Sequence, residues 1–82
     1  MKLIGARPSA FNGSDGRLVE GYNLYLVYDP EETYDGVVGE QCERLFVLKS
    51  RLLFDPCACV GARIDVRYNR SGKVQRVDLL EV

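Results

Sequence analysis

The sequence predicts a small all-β protein, a barrel of five short strands in one domain that spans residues 1–82. Apolar side chains alternate at period two in several segments, and turn-rich segments separate these at intervals of about 8–12 residues. The 82 residues are 46% hydrophobic and 28% charged, which is typical of a globular domain. No run of about 18 apolar residues predicts a membrane span, and no signal peptide is evident, so we expect a cytoplasmic protein.

The first two strands form the N-terminal third of the chain. Residues 1–7 alternate weakly and predict a first strand, which Pro8 ends or marks as an edge strand. The turn residues in 11–16 predict a loop or a hairpin tip. The segment 17–28 is the best strand of the chain because large side chains alternate along its whole length. Gly21 interrupts it, as a bulge or a bend would.

A third strand and a helical turn follow an acidic loop. The loop covers 29–36, and the third strand is predicted over 37–49 with a break near Gly39. One short helical turn is predicted over 50–56, between the third and fourth strands. Ser50 is its expected N-cap, and Pro56 is expected to stop it.

Two further strands complete the predicted fold. The alternation over 57–69 predicts the fourth strand, and 73–82 predicts the return strand of a hairpin. The turn at 69–72 ends in Gly72, which is expected to supply a positive φ. A helical turn between the third and fourth of five strands is the order of an OB-like barrel, and an SH3-like barrel is the alternative.

The composition offers little for catalysis. The chain has no His, the commonest general base and metal ligand. Its three cysteines, Cys42, Cys57 and Cys59, are odd in number, which argues against a disulfide framework. Three thiolates fall short of the four ligands of a structural zinc site. We therefore expect a binding or structural module with reduced thiols and no cofactor, and not an enzyme.

Charge is unevenly distributed although the formal net charge is only −1. Residues 1–43 contain three Lys or Arg and eight Asp or Glu, whereas residues 44–76 contain eight Lys or Arg and two Asp. This asymmetry predicts one basic and one acidic surface. Intermixing of the charges in the folded chain is the alternative.

Five tyrosines accompany the basic residues. Sequence-independent binding of single strands combines aromatic stacking platforms with a basic groove. Packing of the tyrosines in the core or at the rim of the barrel is the alternative. Arg44 and Lys49 of the third strand are expected to face the groove lined by the fourth. The predicted nucleic-acid-binding residues are Arg17, Tyr22, Tyr25, Tyr28, Arg44, Lys49, Arg63, Arg67, Arg70, Lys73 and Arg76.

Several short segments together carry a family resemblance. They are Arg7-Pro8-Ser9, the polar turn ending in Arg17, Gly21-Tyr22-Asn23-Leu24, Tyr28-Asp29, and the hairpin through Gly72 into residues 77–82. In these segments the chain resembles the small single-stranded-DNA-binding proteins of filamentous phages, the gene V type, and similar proteins of plasmids and conjugative elements. The resemblance implies a five-stranded OB barrel, a symmetric homodimer and cooperative coating of single-stranded replication intermediates.

The resemblance also implies roles for particular residues. By position, Arg17 would lie on a DNA-binding wing, Tyr22 and Tyr28 near the strand path, and Arg76 facing the DNA. The hairpin tip departs from the family pattern, because it has Arg70-Ser71 where the family has an aromatic.

The prediction is therefore single-stranded DNA binding without sequence readout, in phage or plasmid replication, by a homodimer with no membrane or small-molecule partner. The alternative is a small β-barrel protein–protein interaction module from a mobile element or a bacterial accessory locus. A groove shared by Arg63, Arg67, Arg76 and two tyrosines would favour DNA. Basic residues that scatter and pair with acidic ones would favour the module; the expected partners are Glu31, Glu32 and Glu43.

Overall fold

Five antiparallel strands form a single sheet in the computed structural model, which describes residues 1–81. The strands are β1 (Lys2–Asn12), β2 (Leu18–Val27), β3 (Cys42–Leu48), β4 (Arg63–Tyr68) and β5 (Val74–Glu81), in the spatial order β3-β2-β1-β4-β5. The predicted all-β class and five strands are confirmed, but the sheet is not closed into a barrel. Val82, which the sequence places in the last strand, lies outside the described residues. Among residues 1–81, no helix has the length and apolarity needed to cross a membrane.

The strand β1 continues past Pro8, which was expected either to end the strand or to mark it as an edge strand. Pro8 lies inside β1, opposite Tyr22 of β2. The pairing of β1 with β4 is limited to Lys2 and Arg63, so most of β1 has a neighbouring strand on one side only. An edge is the place where a sheet tolerates a residue without an N–H. Of the two alternatives, the edge is therefore correct and the strand end is wrong.

Of the two alternatives predicted for Gly21, a bulge or a bend, the bulge is wrong. The register of β2 against both neighbours runs through Gly21 without a shift, and the irregularity lies in β1 between Leu3 and Gly5. Glycine is present at this position for space. A Cβ on Gly21 would lie 2.6 Å from the Cζ atom of Phe46.

The core follows from the alternation of apolar residues along the strands. Leu3, Leu24, Leu26, Val47, Ile64, Val66 and Val77 are buried and form one cluster. The sheet face that carries this cluster is called the inner face, and the opposite one the outer face. The alternation predicted for β2 is confirmed, since Leu24 and Leu26 are buried whereas Tyr25 between them is exposed.

The connection between β3 and β4 differs from the single helical turn that was predicted. It contains two 3₁₀ turns, Lys49–Arg51 and Pro56–Ala58. Ser50 lies inside the first turn and is not its N-cap, and Pro56 begins the second turn, where its fixed φ suits the first position. The carboxylate of Asp55 accepts a 3.0 Å hydrogen bond from the Cys57 N–H and so caps that turn. Because this turn occupies the start of the predicted fourth strand, β4 begins only at Arg63.

One tertiary bridge positions the C-terminal hairpin, and a tight turn connects its two strands. Leu52 forms an isolated parallel bridge with Val77, which places the β3–β4 connection beside β5. The predicted turn at 69–72 is confirmed: Gly72 has φ +78°, and the Asn69 N–H donates to the Lys73 carbonyl at 2.9 Å.

Charged groups fix the start of β1. The Met1 ammonium lies 3.3 Å from Asp29 and 2.9 Å from Glu32, and the Arg63 guanidinium also contacts Asp29, at 2.6 Å. Partial burial lowers the pKa of the ammonium, but hydrogen bonding and attraction to Glu32 and Asp29 outweigh it and raise the pKa above 8.0. Desolvation raises the pKa of Asp29, but the ammonium and Arg63 outweigh it and lower the pKa below 3.8.

These pKa directions predict a pH window for stability. The raised pKa of the ammonium means that its contribution is complete below pH 8.0 and is lost as the pH rises through the folded-state value. The lowered pKa of Asp29 means that its contribution is lost as the pH falls through its folded-state value, below 3.8. We expect urea unfolding midpoints at neutral pH to be higher for the free N-terminus than for an acetylated one. This difference should shrink as the pH rises above 8.0, through the folded-state pKa of the ammonium. An identical midpoint for the two forms at neutral pH would contradict the prediction.

Candidate nucleic-acid interface

The outer face of β1, β2 and β3 combines an aromatic ring with an arginine in each of two neighbouring rows. In the first row, Tyr25 lies directly opposite Arg44 on one side and Gly5 on the other. The Tyr25 ring lies across Gly5, where a Cβ would be 3.3 Å from the Tyr25 Cδ2 atom. The Tyr25 side chain is 36% exposed. A glycine beneath the ring therefore lets it lie close to the sheet with one face toward solvent.

The second row contains residues that the sequence analysis missed. Arg7, Asn23 and Phe46 lie directly opposite one another on β1, β2 and β3. The Phe46 ring lies over Gly21, and its centroid is 5.4 Å from that of Phe11, with the planes tilted by 56°. The strand register was the missing signal, since it brings residues 7, 23 and 46 together from three separate segments.

We call this surface the aromatic face and define it as Arg7, Phe11, Tyr25, Arg44 and Phe46. Rows on one face of a strand are about 7 Å apart, so the rings form separate platforms. Arg7 and Arg44 are exposed. Neither forms an ion pair with any side chain that the structure describes. Their guanidinium groups are consequently available to an external anion.

A second cationic surface lies on the outer side of the C-terminal hairpin. Arg67 and Arg76 are directly opposite each other on β4 and β5. Together with Arg51 from the 3₁₀ turn Lys49–Arg51, they line a cleft of about 500 Å³, to which Ser50, Leu53 and Gln75 also contribute. We call Arg51, Arg67 and Arg76 the arginine cleft. Arg51 was not among the predicted site residues, because its approach to β5 depends on the Leu52–Val77 bridge.

Two aspartates brace the arginine cleft. The Nε atom of Arg67 lies 3.2 Å from Asp65 and 4.0 Å from Asp78, and the Nε atom of Arg76 lies 3.0 Å from Asp78. Like charges directly opposite on paired strands repel, and these carboxylates offset the repulsion between the two arginines. The three arginines with two carboxylates leave this region with a small positive excess.

The predicted groove shared by β3 and β4 does not form as expected. Arg44 lies on the aromatic face, while Arg63 contacts Asp29 through its Nη2 atom at the far end of β4. Arg63 thus pairs with an aspartate and not with the expected Glu31, Glu32 or Glu43.

The remaining predicted tyrosines lie closer to the core. Tyr22 is half-buried on the inner face and packs against the core cluster, as the packing alternative anticipated. Tyr28 is half-buried just after β2, and its N–H donates to the Gln41 carbonyl at 2.9 Å. Of the three tyrosines predicted to bind nucleic acid, only Tyr25 belongs to the aromatic face.

The other predicted cations lie at the borders of these surfaces. Arg17 and Lys49 line one shallow depression together with Ser50, and Arg17 lies 3.8 Å from Asp15. Arg70 and Lys73 lie in the β4–β5 hairpin turn. Lys73 also lines a groove of about 470 Å³ between β3 and this hairpin.

Cys42 begins β3, and Cys57 and Cys59 lie in and directly after the 3₁₀ turn Pro56–Ala58. Cys42, Cys57 and Cys59 are free thiols. Among residues 1–81, no three His, Cys, Asp or Glu side chains are grouped as a metal site would require. The chemistry that the described surfaces offer is aromatic stacking and anion binding. Comparison of the chain with protein-family models, with curated proteins and with solved structures found no match.

Proposed function

We propose that this protein binds single-stranded DNA without sequence readout through the aromatic face. The observation that carries the proposal is the pairing of an aromatic ring with an arginine in each of two adjacent rows of one sheet face. Every base has a π-face, so rings such as Tyr25 and Phe46 accept any sequence by stacking. Arg7 and Arg44 supply charge-assisted hydrogen bonds to the phosphates between the stacked bases.

The strand arrangement supports an OB-like architecture for this function. The sheet order β3-β2-β1-β4-β5, together with the parallel bridge from Leu52 to Val77, places the chain after β3 next to β5. This is the neighbour order of an OB barrel that is left partly open. The face formed by the second and third strands is where OB folds bind oligonucleotides. The aromatic face includes those two strands.

The proposed setting is replication of a phage or plasmid in the cytoplasm, with the protein acting as a homodimer. The family resemblance of the sequence supports this setting. Exposed apolar side chains outside the aromatic face and the arginine cleft offer surface for a second copy of the chain to cover; they include Val38 and Leu80.

Arg44→Ala and Tyr25→Ala are expected to weaken binding in different ways. Removal of the Arg44 phosphate contact should reduce the log–log salt slope on a single strand by about 0.7. Loss of Tyr25 stacking, at about 1–3 kcal/mol per base, should lower affinity about 5- to 150-fold with the slope unchanged. The measurement is fluorescence polarisation of a labelled oligonucleotide at several salt concentrations.

Matched controls lie away from the aromatic face. Arg63→Ala removes a charge that contacts Asp29, and Tyr34→Ala removes a ring that is 76% exposed in the β2–β3 loop. Both controls should bind as the wild-type protein does. Failure of the wild-type protein to bind a single strand at low salt would refute the proposed function.

Protein binding is the second candidate, and one observation favours it. Ile4 and Leu48 are exposed on the same sheet face as Tyr25, Phe46 and Phe11. Aromatic and arginine side chains within such an apolar surface are typical of interface hot spots. If the folded protein does not bind an oligonucleotide, protein binding becomes the proposed function of the aromatic face.

A further inference from the structure

The aromatic face and the arginine cleft are connected by a groove. This groove lies in the gap between β3 and the β4–β5 hairpin, and its lining includes Phe46, Arg51, Tyr68 and Lys73. Phe46 also belongs to the aromatic face, and Arg51 also lines the arginine cleft. The groove therefore shares Phe46 with the aromatic face and Arg51 with the arginine cleft, and Glu43 also lines it.

The terminal guanidinium nitrogens of Arg67 and Arg76 lie outside the ion pairs that these arginines form with aspartates. Both Arg67 and Arg76 form their ion pairs with Asp65 and Asp78 through Nε. A guanidinium has five N–H donors in a planar fork, and the four on the terminal nitrogens lie outside these Nε ion pairs and can bind phosphate in a bidentate manner. In contrast, Arg63 uses a terminal nitrogen, Nη2, to contact Asp29.

Bracing by the aspartates also reduces the entropic cost of binding. An exposed arginine loses rotamer freedom when it is ordered on a ligand, and a side chain already held by an ion pair has less freedom to lose. Arg51 adds a third guanidinium, and it has no ion pair with the side chains that the structure describes.

We propose that a bound single strand leaves the aromatic face at Phe46, crosses the groove and places a backbone phosphate in the arginine cleft. This inference rests on the proposed function and extends its footprint to a second region of the protein. A strand that covers only the rings does not reach the cleft, whereas a longer strand does. The contribution of the cleft therefore depends on oligonucleotide length.

The test compares Arg51→Ala, Arg67→Ala and Arg76→Ala on oligothymidylates of about 4 and about 16 nucleotides, the range of site sizes known for OB folds. Each variant should reduce the salt slope by about 0.7 on the long strand and leave binding of the short strand unchanged. Arg63→Ala, on the same strand as Arg67, is the matched control and should alter neither. Thermal melts establish that each variant is folded, as expected since exposed ion pairs contribute little to stability.

The outcomes separate this inference from the proposed function. Wild-type-like binding of the long strand by all three cleft variants would overturn the inference and leave the aromatic face as the whole site. Equal losses on both lengths would also overturn it, because the cleft would then be part of the primary contact. If the wild-type protein binds neither length, the proposed function fails and this inference fails with it.

Discussion

Gly21→Ala is expected to reduce the free energy of unfolding by about 1–3 kcal/mol, the usual cost of forcing extra volume into a packed site. The added Cβ would overlap the Phe46 ring, 2.6 Å from Cζ, and would also meet the Val47 carbonyl oxygen. A ring end can rotate away, but a backbone carbonyl in a paired strand cannot move without breaking the β2–β3 register. The substitution should therefore loosen that pairing and displace Phe46 from the aromatic face.

Urea unfolding and oligonucleotide titration measure the two effects of Gly21→Ala separately. Gly5→Ala is the matched control, because it adds the same atom beneath the other ring, 3.3 Å from Tyr25 Cδ2, with no backbone atom among its closest neighbours. Its effect on stability should be clearly smaller. Equal stabilities of Gly21→Ala and the wild-type protein would show that β3 does not approach β2 as closely as described.

Leu24→Ala is expected to destabilise the protein by about 2–5 kcal/mol. Leu24 is fully buried in the core cluster, in the middle of β2. Truncation removes buried apolar volume and leaves a cavity. Because β2 is held by a strand on each side, the surrounding structure cannot collapse fully into this cavity. Domains have total stabilities of about 5–15 kcal/mol, so a small one loses a large part of its stability with this change.

The measurement for Leu24→Ala is the urea midpoint, with Leu18→Ala as its control. Leu18 lies on the same strand, but its side chain is 62% exposed. Its truncation should change stability by about 0.5 kcal/mol at most, as surface substitutions usually do. Similar losses for the two variants would contradict the assignment of Leu24 to the core.

Local patterns predicted the strands well because each strand carries its own alternation. The segment predicted as 17–28 became Leu18–Val27, and the turn at Gly72 formed as expected. Predictions for single residues failed where a contact with a residue of another strand determines the local structure. Gly21 reads as a bulge in isolation, and only the approach of Phe46 and Val47 shows why a side chain does not fit there.

The candidate site was less predictable than the fold because it depends on strand register and on tertiary bridges. Tyr25 and Arg44 were predicted from residue type, but their direct pairing across β2 and β3 was not. Arg7 stands far from the basic segment in the sequence. Arg51 reaches the cleft only because the chain beyond β3 bridges to β5 at Leu52. Residue type identified two of the five residues of the aromatic face, and strand register brought the other three beside them.

The unpaired stretch of β1 has a bearing on how the protein avoids self-association through its backbone. Beyond Ala6, whose carbonyl accepts a contact from the Cys57 thiol, this strand leaves one row of peptide groups without a neighbouring strand. Such an edge is a template for intermolecular sheet growth, the first step of aggregation. Pro8 interrupts the row of donors, and the exposed charge of Arg7 beside it disfavours an approaching strand. We therefore expect Pro8 to limit sheet growth at this edge, an effect that its pairing with Tyr22 in the β1–β2 ladder does not reveal.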